Sequence, residues 1–429
     1  MVEPLWVIGD SFGLQIPSTS EALRERAAAF LTDAFRASGV LDRNNQVARI
    51  VQFEECHGGS TGRKLLLSVA YEKSDPRLCT DLFVKFSRDF SDPIRDRAKI
   101  QMESEVRFAL LSRIPEFPIA VPKCFFADYH HDSGTGILIT DRLAFGTHGI
   151  EPQHGKCLDY ELPEPLEHYQ ALIKALGRLA GTHKAGRFPD NLDDKFPFDA
   201  TRLTVSKRGP LTAAQIDNKV AAYREFAAKF PQLLPANITS PTFLSRLSEQ
   251  APRVAAQELA IKQFLHSKPE FVALCHWNAQ IDNGWFWRNA QGEIECGLLD
   301  WGHASQMNVA MALGGCLLGV ETELLDDQLD ALLALFATEF AACGAPDLDL
   351  RELKLHLLLY IAVSGLILLD APVLIQRQLP DLARAESRFD PQIRNNERAR
   401  TQLHMFTVFL HLWQSQDFGK ALDEFLKRA

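Results

Sequence analysis

The feature that most constrains this chain is a change of texture near residue 145. Before it, short runs rich in β-branched and aromatic residues are separated by Gly-containing turns; after it, apolar residues recur at helical spacing almost without interruption. "ARIVQFEEC" (48–56), "KLLLSVAYE" (64–72) and "DLFVKFS" (81–87) read as strands, and "VPKCFFADYHHDSGTGILITDRL" as two more around a turn. Two helices punctuate them. "PSTSEALRERAAAFLTDAFRASG" has Ser18 three residues before Glu21, the spacing of a capping box, and Gly39 as a stop. "RAKIQMESEVRFALLSRI" sets Met102, Val106, Leu110 and Ile114 on one side. Beyond 145, helices are expected at 163–185, 211–230, 241–266, 323–343, 351–370 and 396–414. One stretch departs: "GWFWRNAQGEIECGLLDWG" (284–302) alternates like a hairpin turning at "NAQG". The class is α+β, with a small antiparallel β lobe over 1–145 carrying one inserted helix, and a large, mainly helical lobe over 146–429.

Composition narrows the partners. A chain of 429 residues with 46% hydrophobic and 24% charged residues has material for two or three packed units. Its net charge of −9 argues against nucleic acid, whose phosphates call for clustered Lys and Arg. Eight cysteines without a CxxC pair read as buried thiols in a reducing cytoplasm. "MVEPLWVIGDSFGLQIP" has neither a basic start nor a sustained apolar run, so no signal peptide is expected. "LHLLLYIAVSGLILL" (355–369) falls short of the roughly 20 residues of a membrane span and reads as a buried helix. Nothing in the pattern specifies an oligomeric state.

The hairpin matters for what flanks it. Asn283 precedes its first strand and Asp300 ends its second, so strands of about seven residues bring the chain back to its starting level. A carboxylate and an amide oxygen together suit Mg²⁺, which takes its other ligands from water and phosphate. The plainer reading makes both residues turn formers. "HGGSTGRK" offers backbone N–H groups at Gly58, Gly59, Ser60, Thr61 and Gly62 that can approach phosphates closely. It is not a Walker A loop, because the spacing is absent and a strand follows where a helix is required. Lys85 lies inside the apolar strand "LFVKF" and needs a partner, for which the next helix offers Glu103 and Glu105; the alternative is a lysine whose head reaches water. "CHWNAQIDN" (275–283) adds His276, Asn278 and Asp282.

In that order (glycine turn, strand lysine, helix glutamate, His-x-Asn-x-x-x-Asp-Asn, hairpin, Asp-Trp-Gly) the chain resembles the aminoglycoside phosphotransferase and choline kinase group of the protein-kinase-like fold. "GGSTGRKLLLSVAYEKSDPRLCTDLFVKF" is most similar to its ecdysteroid-kinase-like branch, and the resemblance covers roughly 45–320. It implies an ATP-dependent phosphotransferase acting on a hydroxyl of a small-molecule acceptor. "GGSTG" would cover the ATP phosphates, Lys85 would meet the α- and β-phosphates, and Glu105 would hold Lys85. Asp141 and Arg142 would lie at the hinge that meets adenine. "ALGRLAGTHKAG" would pack behind the catalytic loop, His276 would brace it, and Asn283 and Asp300 would bind Mg²⁺.

Two departures stand out. The family's loop reads HGD, then four residues, then Asn; here Trp277 replaces the glycine and Asn278 the aspartate. "DWGHASQMNVAMALGG" also lacks the family's Gly-Asp-Pro and further Asp, so a bracing contact below the loop is missing or replaced. An amide takes no proton near pH 7, so Asn278 can accept a hydrogen bond from a substrate hydroxyl but cannot be a general base. Asp282 is the substitute base to consider. A nucleotide-binding pseudokinase without turnover is the alternative function. A serine esterase built on "GDSFG" (9–13) with "DWGH" (300–303) is a remote one, since a nucleophile elbow needs a strand before the serine and a helix after it. Trp285 and Trp287 read as core, His130-His131 lacks a third metal ligand, and "ETELLDD" (321–327) reads as the acidic start of a helix.

Overall fold

The computed structural model describes residues 4–56, 62–199 and 210–428. Met1–His148 with Gly297–Ala304 form one compact unit, and Gly149–Cys296 with Ser305–Ala429 the other, so the chain visits the first unit twice.

The first unit is built on a five-stranded antiparallel sheet. Its strands are β3 (Val47–Cys56), β4 (Lys64–Tyr71), β5 (Asp81–Phe86), β6 (Cys124–His130) and β7 (Thr135–Asp141), in the order β3-β4-β5-β7-β6. Before them run a short hairpin, β1 (Trp6–Ile8) with β2 (Gln15–Pro17), and helix α1 (Ser20–Ala37). Helix α2 (Arg95–Leu111) follows β5. Side chains alternate across a strand, and the two helices use the two faces. Leu23, Leu31 and Phe35 of α1 share a core with Leu65, Leu67, Leu82, Val84, Phe126, Ile137 and Ile139. Met102 and Val106 of α2 pack with Cys124, Ala127 and Leu138. Each fully buried Leu, Ile or Phe there contributes about 1.5–3 kcal/mol. The register sets Lys85 opposite Leu138, so Lys85 points to the α2 face while Val84 and Phe86 on either side point to the α1 face.

The expected N-terminal signals shift on inspection. The cap of α1 is Thr19, which accepts from the Ala22 N–H, whereas the Ser18 hydroxyl donates to the Pro4 carbonyl at 2.6 Å. The β1–β2 hairpin was not legible because its three-residue strands are too short to show a period.

The second unit is mainly helical. The expected helices appear as α3 (Pro165–Lys184) and as Ala213–Lys229, Thr322–Ala342, Leu350–Ser364 and Glu397–Ser415; the expected 241–266 helix divides at Gln257 into Pro241–Ala256 and Glu258–His266. The hairpin is present as β9 (Gly284–Arg288) and β10 (Ile294–Leu298), with Gly292 in the left-handed region at its turn. A second small ladder was not foreseen: β8 (Val272–Cys275) pairs antiparallel with β11 (Ser305–Asn308). Leu350–Gln378 is a helical stretch apolar enough to cross a membrane by composition, but 67% of its most apolar window is buried inside the protein. Glu352 and His356 on it are buried as well, with Glu352 paired to Lys268 at 2.6 Å. All eight cysteines are free thiols, and Cys124, Cys157, Cys275, Cys296 and Cys316 are buried.

Candidate functional site

In the first unit the chemistry gathers around Lys85. Its ammonium lies 2.6 Å from the Glu105 carboxylate and 3.0 Å from Asp300 Oδ1, with the Lys85 and Glu105 side chains only 3% and 6% exposed and Asp300 37%. Burial works against the charge of Lys85, but Glu105 and Asp300 outweigh it and hold the ammonium above the usual lysine range. Burial pushes the Glu105 carboxyl upward, against the pull of Lys85. Glu103 points elsewhere, to Arg107 and, at 3.4 Å, to His131.

One face of α2 explains this arrangement. Gln101, Glu105 and Phe108 stand at i, i+4 and i+7. Glu105 takes Lys85, Gln101 Nε2 lies 3.2 Å from His303 Nε2, and Phe108 stacks on Trp301 with ring centroids 3.5 Å apart. The segment that follows β10 is thus seated on α2, and the Trp301 indole also donates to the Leu298 carbonyl at 3.0 Å. Asp300 itself has φ 61°, the left-handed conformation that Asp tolerates better than most residues.

Sequence reasoning passed over Lys64. It stands directly opposite Lys85 in the β4–β5 register, and burial, then the neighbouring Lys85 charge, lower its pKa. Two ammoniums side by side on a sheet repel, and Asp300 and Glu105 offset part of that repulsion; the signal in sequence was a lysine at the start of a strand, an ordinary place. Gly58, Gly59, Ser60 and Thr61 lie outside the described residues. Gly62 is described: at φ +126°, a Cβ there would stand 2.0 Å from the Phe86 carbonyl oxygen, so only glycine lets the chain pass the end of β5 beside Lys85. Asp141 ends β7 and accepts from the Lys123 N–H at 2.7 Å, and Arg142 pairs with Asp81 at 3.0 Å.

In the second unit the loop after β8 is tied into a compact knot. His276, 1% exposed, accepts the Asn278 N–H on Nδ1 at 3.0 Å. The Asn278 carbonyl in turn accepts from Gln280 N at 3.0 Å and from Asn283 Nδ2 at 2.9 Å. That leaves Asn283 Oδ1 as the atom able to ligate a hard cation, the donor type Mg²⁺ requires. Asp300 supplies a part-exposed carboxylate in the first unit, so both residue types fit the ion. The Asn278 side chain is only part-buried and makes no hydrogen bond to the described residues, so its amide is available to a ligand. Asp282 meets Lys156 at 3.4 Å, its Oδ1 is buried without a partner, and burial pushes its carboxyl above the ordinary range.

The loop is held from below by other residues. Gln280 Nε2 donates to the Gly315 carbonyl at 3.0 Å, and the Trp277 indole donates to Tyr360 Oη at 2.7 Å. A Cβ on Gly315 would lie 1.7 Å from the Trp277 carbonyl oxygen, so the helix Val309–Leu317 approaches the loop only because that position is glycine. Behind β8, His183 of α3 accepts the Leu274 N–H at 3.1 Å, and burial lowers its pKa to about 4. Trp285 is buried, in keeping with a core role.

The esterase reading is overturned. Ser11 sits exposed in the β1–β2 turn, where the Asp128 carboxylate accepts the Ser11 and Phe12 N–H groups at 2.9 and 3.2 Å, and a strand follows where a helix would be needed.

No family model and no curated relative matches this chain. Among solved structures, a choline/ethanolamine kinase family protein from Mesorhizobium loti is similar at 14% identity and TM-score 0.39, covering 94% of this chain and 99% of that one. The choline kinase LicA from Streptococcus pneumoniae is similar at 12% identity and TM-score 0.40, covering 88% and 95%. An ethanolamine kinase from Plasmodium vivax is similar at 10% identity and TM-score 0.43, covering 92% and 95%. Aminoglycoside phosphotransferases are also among the similar structures.

Proposed function

We propose that the protein is an ATP-dependent, Mg²⁺-requiring phosphotransferase that acts on a hydroxyl of a small molecule in the cytoplasm. The observation that carries this reading is Lys85, buried between Glu105 and Asp300 with Lys64 across the ladder. A structural lysine needs one counter-charge; this one is held charged by two carboxylates, one of them part-exposed, beside a second ammonium. An anionic phosphate there would add to Glu105 and Asp300 in offsetting the repulsion between Lys64 and Lys85, and Asp300, part-exposed, would be the carboxylate to hold a divalent cation.

In this proposal Lys85 holds the α- and β-phosphates, Glu105 positions Lys85, and Asn283 and Asp300 are the protein ligands of the ion. Mg²⁺, when bound, neutralises charge on the transferring phosphoryl group. The glycine turn at 58–62 covers the phosphates, and Asp141 and Arg142 mark the hinge. Asn278 orients the acceptor hydroxyl by accepting its hydrogen bond, and His276 fixes Asn278 through the backbone. Because bond breaking runs ahead of proton removal in a loose transition state, an amide in that position lowers the rate without removing the route; a general base contributes about 10²–10⁴-fold. Asp282, with its raised pKa and unpartnered Oδ1, is the carboxylate next in line as proton acceptor. Free thiols throughout suit a reducing compartment.

The amide at 278 also favours a second reading, nucleotide binding without turnover. ATP consumption by the full chain against a panel of amino alcohols, aminoglycosides and lipid alcohols separates the two: acceptor-dependent ADP formation supports the transferase. Mg-ATP stabilisation without ADP formation supports the pseudokinase, and no thermal shift with millimolar Mg-ATP or Mg-GTP overturns both.

A further inference from the structure

The histidines singled out in the sequence have other partners: His130 Nδ1 meets Ser133 Oγ at 2.8 Å and His131 pairs with Glu103. A different cluster, in the second unit, has the required geometry. Glu151 Oε2 lies 3.0 Å from His154 Nε2 and 2.9 Å from His168 Nε2, and the three donor atoms all lie within 4.8 Å of one another. Two imidazole nitrogens thus converge on one carboxylate oxygen.

A second contact fixes the orientation of the buried ring. His168 Nδ1 lies 2.8 Å from the Glu164 carbonyl oxygen, which can only accept, so Nδ1 carries the proton. Nε2 faces the Glu151 carboxylate oxygen at 2.9 Å, and the ring is 1% exposed, so its side of the contact is buried. The Nδ1–H to carbonyl bond is also the outer contact that orients a metal-ligating histidine and raises its basicity.

We propose that Glu151, His154 and His168 form a binding site for a borderline divalent transition-metal ion, Zn²⁺ being the natural occupant. Tetrahedral Zn²⁺ with bonds of about 2.0–2.1 Å sets its donor atoms about 3.4 Å apart. Two of the present separations, 2.9 and 3.0 Å, fall short of that value and all three donors lie within 4.8 Å of one another, so side-chain rotation that opens the carboxylate contacts completes the set, with water as fourth ligand. Imidazole nitrogen selects Zn²⁺, Co²⁺ or Ni²⁺ over Mg²⁺.

The surroundings are prepared for it. Phe286 of β9 packs its ring 4.8 Å from His168 and 5.7 Å from His154. The Glu151 N–H donates to the Phe286 carbonyl at 2.9 Å, and Ile150 bridges Trp287. His168 sits in the first turns of α3, whose far end carries His183 behind β8. The ion therefore fastens two pieces of the second unit together, the 150–154 segment and α3, beside the strand that begins one residue after Asn283. Its role is structural, and it is independent of any Mg²⁺ used with nucleotide.

The test is a titration of the chelator-treated full chain, without nucleotide, by Zn²⁺ and by Co²⁺. One equivalent of Zn²⁺ is expected to bind at micromolar affinity or better, to raise the melting temperature, and to resist competition by millimolar Mg²⁺. Co²⁺ is expected to give visible ligand-field bands without a thiolate charge-transfer band. His154→Ala, at a part-exposed position, should fold and lose more than about 100-fold in affinity, beyond the 10–100-fold typical of an outer-shell change; Glu151→Gln should do likewise. Absence of stoichiometric binding by the parent overturns the proposal. Parental affinity in both variants, or a thiolate band from one of the free cysteines, places the ion elsewhere and overturns it as well.

Discussion

Replacing Lys85 with methionine keeps most of the side-chain length and removes the charge. The consequences divide because the two carboxylate partners differ in exposure. Asp300, 37% exposed, stays hydrated when the ammonium is gone; Glu105, at 6%, is left buried without a counter-charge. Removing one partner of a buried ion pair costs about 3–5 kcal/mol, nearly all of it here from Glu105. For a unit of this size that lowers the melting temperature by roughly 10 °C. Adding Glu105→Leu removes the orphaned carboxylate, and an apolar pair of similar volume should recover stability to within about 1 kcal/mol of the parent. Nucleotide affinity follows a different course. A charge-assisted hydrogen bond to phosphate is worth about 1.5–3 kcal/mol, so both the single and the double variant should bind Mg-ATP roughly 10- to 100-fold more weakly. Urea unfolding and calorimetric ATP titration on parent, single and double variants read the two effects separately. A double variant that is stable and binds Mg-ATP with parental affinity refutes the phosphate role of Lys85. A single variant within about 1 kcal/mol of the parent refutes the energetic account of the buried pair.

Asp300→Asn should abolish most of the Mg²⁺-dependent part of nucleotide stabilisation in a thermal-shift assay, and Asn283→Ala should reduce it more mildly, since an amide contributes no net charge; parental behaviour in both would make them turn formers. Asn278→Ala should lower acceptor-dependent ADP formation, and Asn278→Asp should keep or raise it, whereas a parent without turnover and an aspartate variant that gains ATP hydrolysis would mark a pseudokinase. Asp159, buried against Tyr169, is pushed up to about 7 from 3.8, chiefly by burial. A carboxyl whose folded pKa is raised is fully accommodated below about pH 4, and stability falls as pH rises from there toward 7. Asp159→Asn should flatten that decline and be more stable than the parent by a few kcal/mol at pH 8, as read from urea midpoints between pH 4 and 8; parallel pH profiles would refute the assignment.

Local features of this protein were determined by the sequence alone. The strands β3 to β7, the β9–β10 hairpin and most long helices follow from periodicity, which involves only residues near one another in the chain. Lys85 was conspicuous for the same reason: a lone charge in an apolar strand must be explained wherever that strand packs. What tertiary structure decided are the partners. Glu103 and Glu105 are equally placed by spacing, and only the seating of α2 on β6 and β7 turns Glu105 to Lys85. Lys64 acquires meaning only from the register that sets it opposite Lys85. β8 and β11 are four-residue strands separated by the whole hairpin, and no local period announces them. The partners that hold the loop from below, Gly315 and Tyr360, lie far along the chain. The convergence of Glu151, His154 and His168 has the same origin. Charges, lone pairs and close backbone approaches act through space, so residues remote in sequence become one site only when packing brings their atoms within a few ångströms.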